Sequence, residues 1–210
     1  MALDLEEQEQ LAELKSWWKA HGNLVLAVVI AAMLAFAGWR YWRVYQANQA
    51  AHAGALYETL GKAAQANDAK ALRDAGGALA ENYAGTLYAS MGAMVAARFY
   101  YDRNDLKSAK AQLQWVIERA ASEDFRDLAR LRLAAVLLDE KAHDEALRQL
   151  DAPHAAAYDA QFAAMRGDIL AAKGQPAEAR AAYKVALDKA AEQDTQFRES
   201  VRMRLEALGS

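Results

Sequence analysis

The stretch from residue 167 to residue 186 decides the fold: Gly167-Asp168-Ile169-Leu170-Ala171-Ala172-Lys173-Gly174-Gln175-Pro176-Ala177-Glu178-Ala179-Arg180-Ala181-Ala182-Tyr183-Lys184-Val185-Ala186. It reads as helix, turn, helix. Gly174 suits a tight turn at a helix end, and Pro176 suits a first helical turn, where its missing N–H is no loss. Gly167 and Ala179 are small enough to let the two helices of the pair approach closely. The unit is therefore a helical hairpin with a short link.

Working outward, the same pattern recurs upstream. Asn67-Asp68-Ala69-Lys70 returns 37 residues later as Asn104-Asp105-Leu106-Lys107, each opening a helix that Asn or Asp can cap. Ala109 has counterparts in Ala146 and Ala179, at steps of 37 and 33. Amphipathic periodicity places helices at about 44–66, 69–83, 86–102, 106–120, 124–140, 144–151, 158–173, 176–191 and 195–208. A composition rich in alanine with only two prolines supports an all-α chain. In residue type and position, the terminal hairpin resembles a tetratricopeptide repeat. The middle units match less closely: Ala97 and Ala134 stand where Gly167 does, and Asp151-Ala152-Pro153 cuts one second helix short. The expectation is a degenerate superhelix of three to four repeats, with Thr195 to Leu208 as a capping helix.

First helices of such an array line a concave face, the usual seat of a peptide or partner helix. Aligning the units directs Met94, Arg98, Tyr101, Leu131, Ala135, Leu138, Ala164 and Asp168 toward that face. Thioether and aromatic side chains there suit varied polypeptide clients. The competing reading makes most of these residues core.

The N-terminal part differs in kind. Residues 20–39 carry no Lys, Arg, Asp or Glu, and Leu24 to Trp39 is an apolar run. Trp17 and Trp18 precede it, and Trp39, Tyr41 and Trp42 follow it. Trp18 to Trp39 covers about 31 Å at the helical rise, the hydrocarbon thickness of a bilayer. Indoles favour the two interfaces, and Lys15, Lys19, Arg40 and Arg43 fall just outside. A buried core helix would not need paired aromatic girdles. A cleaved signal peptide would end in small residues rather than Gly-Trp-Arg-Tyr-Trp-Arg. The expected organisation is a tail over 1–19, a transmembrane helix over 20–42 and a repeat domain over 43–210. Two lysines before the span and two arginines after it leave the positive-inside rule undecided. Residues 3–20 suit a short interfacial helix ending at His21-Gly22-Asn23, or a solvated acidic tail.

Composition also bounds the chemistry. The net charge of −3 sits in the first 22 residues, and the remainder balances 23 acids with 23 bases. Without a basic surplus, nucleic-acid binding is disfavoured. Zero cysteines exclude disulfides and thiol chemistry. His21, His52, His143 and His154 are scattered, with no ligand spacing for a metal. His143 is read as a solvent-facing turn residue. Gly76-Gly77 follows no strand and so forms no phosphate cradle, and no serine lies in a nucleophile elbow. Acid pairs such as Glu123-Asp124 and Asp139-Glu140 read as solvated charge. No catalytic residue, cofactor site or metal site is expected, and the chain reads as a non-enzyme.

The whole chain resembles the YfgM-type ancillary subunits of the bacterial SecYEG translocon. The resemblance rests on Lys15-Ser16-Trp17-Trp18 with Gly22, Gly38-Trp39-Arg40-Tyr41-Trp42, Ala80-Glu81-Asn82-Tyr83, and Asp105-Leu106-Lys107-Ser108-Ala109 with Gln112-Leu113. It continues in Leu131-Arg132-Leu133-Ala134, Ala146-Leu147-Arg148-Gln149-Leu150-Asp151 and Leu170 through Gly174. It implies a single-pass protein of the bacterial inner membrane, with a cytoplasmic N-terminus and a periplasmic repeat domain. The partners it implies are SecYEG and a PpiD-type periplasmic chaperone, and the function a scaffold that hands translocated polypeptides to periplasmic folding factors. Two other readings use the same residues. One is an assembly factor for envelope or cell-division complexes, and the other a sensor that signals through its tail.

Overall fold

The computed structural model describes residues 5–209, so residues 3 and 4 of the anticipated interfacial helix lie outside it. Among the described residues the chain is helical, without strands. The order is α1 (Leu5–Gln65), α2 (Ala69–Asn82), α3 (Leu87–Tyr101), α4 (Leu106–Arg119), α5 (Glu123–Asp139), α6 (His143–Leu150), a single 3₁₀ turn (Ala156–Tyr158), α7 (Asp159–Ala172), α8 (Pro176–Lys189) and α9 (Thr195–Ala207). The chain divides into two units, Met1–Gln49 and Ala50–Ser210.

In the first unit the helix does not stop at His21-Gly22-Asn23 as expected; α1 continues through all three. The ring of Trp18 lies over Gly22, where an added Cβ would stand 3.1 Å from it. His21 stacks on Trp17, with ring centroids 5.4 Å apart. A glycine inside a helix costs only about 0.5–1 kcal/mol, too little to break a ladder that side chains cover on either side. Large apolar residues project all round this part of the helix, Leu24 at 67% and Leu34 at 69% exposure among them. A core helix would bury these side chains. It is the one helix among the described residues that is long and apolar enough to cross a membrane.

In the second unit, four hairpins follow from one repeated turn. Asn67, Asn104, Lys141 and Gly174 all have positive φ, near 60° for the first three and 80° for the glycine. At each turn the next amide donates back across the helix end: Asp68 N to Ala63 O, Asp105 N to Tyr100 O, Ala142 N to Leu137 O and Gln175 N to Leu170 O, all at 2.8–2.9 Å. This is the Schellman closure, which needs one left-handed residue. The helix that follows is capped as expected in the first two hairpins. Asp68 accepts from the amides of Lys70 and Ala71, and Asp105 from that of Ser108, each at 3.0 Å. His143 is the first residue of α6 rather than part of the turn.

Packing repeats in the same register. Leu72, Ala109, Ala146 and Ala179, each five residues beyond the left-handed position, are fully buried. The closest approach lies between two other positions. In the last hairpin Gly167 faces Tyr183: a Cβ on the glycine would overlap the ring, with even Cζ at 2.9 Å. The equivalent pairs are Ala97 with Leu113 and Ala134 with Leu150, all within one core cluster. In the first hairpin the sizes are reversed, with Leu60 on the first helix and Gly76 on the second, at 3.5 Å from the site of a Cβ. The glycine pair Gly76-Gly77 thus has a packing role at its first member. Each hairpin combines one large residue with one small one.

The third hairpin is the irregular one. Its second helix, α6, has 8 residues against 14 in α2, α4 and α8. Asp127, only 2% exposed, organises the segment that replaces the missing turns, accepting from Ala155 N at 2.9 Å and from Arg130 Nη1 at 2.8 Å. His154 stacks on Phe162 at 3.8 Å between centroids. The array is closed by α9, as the capping reading anticipates. Val201 is fully buried. Arg198 donates to the terminal carbonyls of Leu187 and Ala190 at 2.7 and 3.0 Å. Arg204 pairs at 2.8 Å with Asp168, which also accepts from the Tyr183 hydroxyl at 2.7 Å.

Two expectations test this packing. Gly167→Ala should destabilise the protein by about 1–3 kcal/mol, the usual range for overfilling a close contact. Adding Tyr183→Leu, which recreates the Ala–Leu pairs of the middle hairpins, should recover part of that loss in chemical denaturation; additive losses would refute the pairing. Tyr183 also makes stability fall at high pH. Burial, and then the hydrogen bond to Asp168, push its phenol pKa well above the ordinary value. The folded state therefore holds this proton more tightly than the unfolded chain. Its contribution is complete below about pH 10 and is lost as pH rises beyond that. Urea midpoints of Tyr183→Phe should decline less steeply above pH 10 than those of the parent protein.

Candidate partner-binding groove

The groove is built by the first helices of three successive hairpins. Met91, Met94, Val95 and Arg98 follow the i, i+3, i+4, i+7 spacing of a single helix face on α3. Opposite them α5 presents Phe125, Leu128 and Arg132, and residues 50–65 of α1 contribute Tyr57 and Ala64. Together they enclose about 490 Å³. A second depression of about 320 Å³ adjoins it, lined by Ala97, Tyr101, Leu113, Ala135 and Val136. Arg98 and Arg132 line both, so two guanidinium groups stand where the two apolar hollows meet.

These two cations are not equivalent. Arg98 Nε donates to Asp102 Oδ2 at 2.8 Å, and that hydrogen bond raises its pKa. Arg132 makes no ion pair among the described residues. Lost hydration, and then repulsion from Arg98, lower its pKa below the ordinary arginine value. It still carries full charge at physiological pH. Tyr101 donates its hydroxyl to Asp139 at 2.5 Å, which ties the end of α3 to the end of α5 and raises the phenol pKa.

Of the eight residues placed on the concave face by sequence, four meet here. Met94 and Arg98 line the larger hollow, Met94 as a buried member of the central core cluster whose edge reaches it, while Arg98, Tyr101 and Ala135 line the smaller. Leu131 lies in the central core cluster and Leu138 packs against it. Ala164 belongs to the C-terminal core cluster, and Asp168 is engaged by Tyr183 and Arg204. Sequence reading missed Tyr57, Met91, Leu128 and Arg132. Met91 and Leu128 lie one turn before Met94 and Leu131, so extending the alignment back by three residues would have found them. Arg132 follows the inward-turned Leu131 directly, and nothing in the repeat pattern marks it.

Trp17, Trp18, Trp39, Tyr41 and Trp42, the residues placed at membrane interfaces, are each half exposed or more on α1. The guanidinium of Arg43 lies 5.0 Å from the Trp39 ring centroid. Among the described residues no group of three His, Asp or Glu side chains is arranged to hold a metal ion.

Comparison with known proteins places this architecture. The tetratricopeptide repeat-like domain family matches residues 15–210. A protein of Neisseria gonorrhoeae, named ancillary SecYEG translocon subunit, is 31% identical over 99% of this chain and 100% of its own length. Relatives of the same name occur in Haemophilus influenzae, 29% identical over 94% of this chain and 96% of the relative, and in Escherichia coli, 30% identical over 84% and 85%. No solved structure matches. With hairpins, capping helix and apolar N-terminal helix all in one continuous match, the chain belongs to the tetratricopeptide repeat-like family of ancillary SecYEG translocon subunits.

Proposed function

We propose that this protein is a non-catalytic scaffold of the bacterial inner membrane that associates with SecYEG and passes translocated polypeptides to periplasmic chaperones, a PpiD-type chaperone among them. The observation that carries the reading is the groove on the first helices, apolar over most of its lining and open to a polypeptide side chain. The name shared by the relatives supports the Sec channel as a partner. In this reading residues 1–19 are cytoplasmic, 20–42 span the membrane and 43–210 form the periplasmic repeat domain. Trp17 and Trp18 then sit at one interface, and Trp39, Tyr41 and Trp42 at the other. Leu131, Leu138, Ala164 and Asp168 support the concave wall from behind, while Met94, Arg98, Tyr101 and Ala135 meet the partner.

A photo-crosslinking amino acid in place of Leu128 should capture the channel, a periplasmic chaperone or a translocating chain in living cells. The same group in place of Val185, exposed on the second helix α8, should capture them much less. Groove adducts containing none of these, from a folded protein, would rule the scaffold out. Purification in mild detergent without Sec components would favour an envelope or cell-division assembly factor. Topology is checked with protease added to spheroplasts. Digestion of the repeat domain is expected, and its protection would overturn the assigned orientation.

A further inference from the structure

We infer that the groove selects polypeptide segments in which a carboxylate is flanked on both sides by apolar residues, with Arg132 as the residue that reads the acid. The inference rests on the scaffold reading and adds what such a scaffold recognises.

Three observations point to this chemistry. The two hollows are apolar, with Met91, Phe125 and Leu128 on one side and Ala97, Leu113 and Val136 on the other. Arg98 and Arg132 border both, so an occupant spanning the groove passes the two guanidinium groups near its middle. Asp102 is the sole acid among the lining residues and is already engaged by Arg98 at 2.8 Å. Among the lining residues one positive charge is therefore in excess, with Asp139 held by Tyr101 just beyond the smaller hollow. Arg132 stands exposed at the junction of the hollows with a like-charged neighbour and no ion-pair partner among the described residues. A carboxylate from an occupant would pair with it, and a guanidinium can take both oxygens at once. Met91 and Met94, which repack easily, leave the apolar side chains loosely specified. Charge is thus the selective element and apolar burial the general one.

The test uses the full-length chain in nanodiscs of zwitterionic lipid at low salt, with binding to empty nanodiscs subtracted. Three fluorescein-labelled peptides share two apolar clusters and differ at one central position, which is Glu, Gln or Lys. In fluorescence polarisation the Glu peptide should bind roughly two- to five-fold more tightly than the Gln peptide, as one exposed ion pair at low salt allows, and the Lys peptide most weakly. Arg132→Gln should abolish the difference between Glu and Gln, and Arg132→Glu should turn the preference toward Lys. Equal affinities for the three peptides, no binding of any, or an undiminished preference for Glu in Arg132→Gln would overturn the inference. The peptide comparison on the unaltered protein stands whether or not the variants fold. Co-purification of Sec components is read separately, so indifference to charge overturns this inference alone, whereas loss of channel association overturns the scaffold reading.

Discussion

The contact between one large and one small residue, where the two helices of a hairpin cross, governs the rest of the array. Helices of 14 residues are marginal in water by themselves and gain their stability from burial against a partner. A hairpin of two such helices has little area to bury, so close approach matters more than it would in a larger domain. Gly167 against Tyr183, Ala134 and Ala97 with their leucine partners, and Gly76 against Leu60 each set one small residue against one large one. Interiors packed near crystal density tolerate such an exchange when the volume is conserved across the pair. With each pair packed in this way, successive hairpins stack and the first helices come to line a common wall.

The turn makes the pairing possible, and it is where the units differ in quality. Asparagine and glycine accept a left-handed backbone readily, but Lys141 carries a Cβ and a long side chain in the same conformation, at a cost of about 1–2 kcal/mol. The same hairpin lacks a side-chain cap at Ala142 and has lost nearly half of its second helix. Its compensation is polar. Asp127 takes the amide that the missing helix would have satisfied, and Arg166 holds both the Leu150 carbonyl and the Asp151 carboxylate. A buried carboxylate with well-aligned donors replaces apolar packing that the sequence no longer supplies. This hairpin also contributes α5 to the groove, and the contacts that stabilise its backbone lie on the side away from the groove.

What could be read from sequence follows from this division. The capping acids Asp68 and Asp105, the small residues Ala109, Ala146 and Ala179, and the glycine turn act one at a time, and each has a recognisable preference. Helix boundaries agreed to within about two residues for that reason, apart from the continuous α1. The exchange of Leu60 with Gly76 was illegible because neither residue violates a rule alone; only their facing positions give Gly76 a purpose. Asp127 reads as another helical acid until the segment around Ala155 folds over it. The groove was half legible for a related reason. Repeat alignment finds which positions face inward, but not where a helix tilts enough to send Leu131 into the core and its neighbour Arg132 outward.

Two apolar surfaces among the described residues, the N-terminal helix and the groove, differ in what must cover them. On the first unit the apolar side chains surround the helix on every side, without charge between residues 20 and 39, and only a solvent that is itself apolar satisfies such a surface. In the repeat domain the apolar hollows occupy one face and are interrupted by two guanidinium groups. Lipid would strand the Arg132 charge, since the one acid among the lining residues is already paired with Arg98. An aqueous polypeptide can bring both apolar side chains and a carboxylate. The charge at the centre of the groove therefore distinguishes this surface from the uncharged apolar surface of the N-terminal helix, and Arg132 does so from a position that the repeat pattern does not mark.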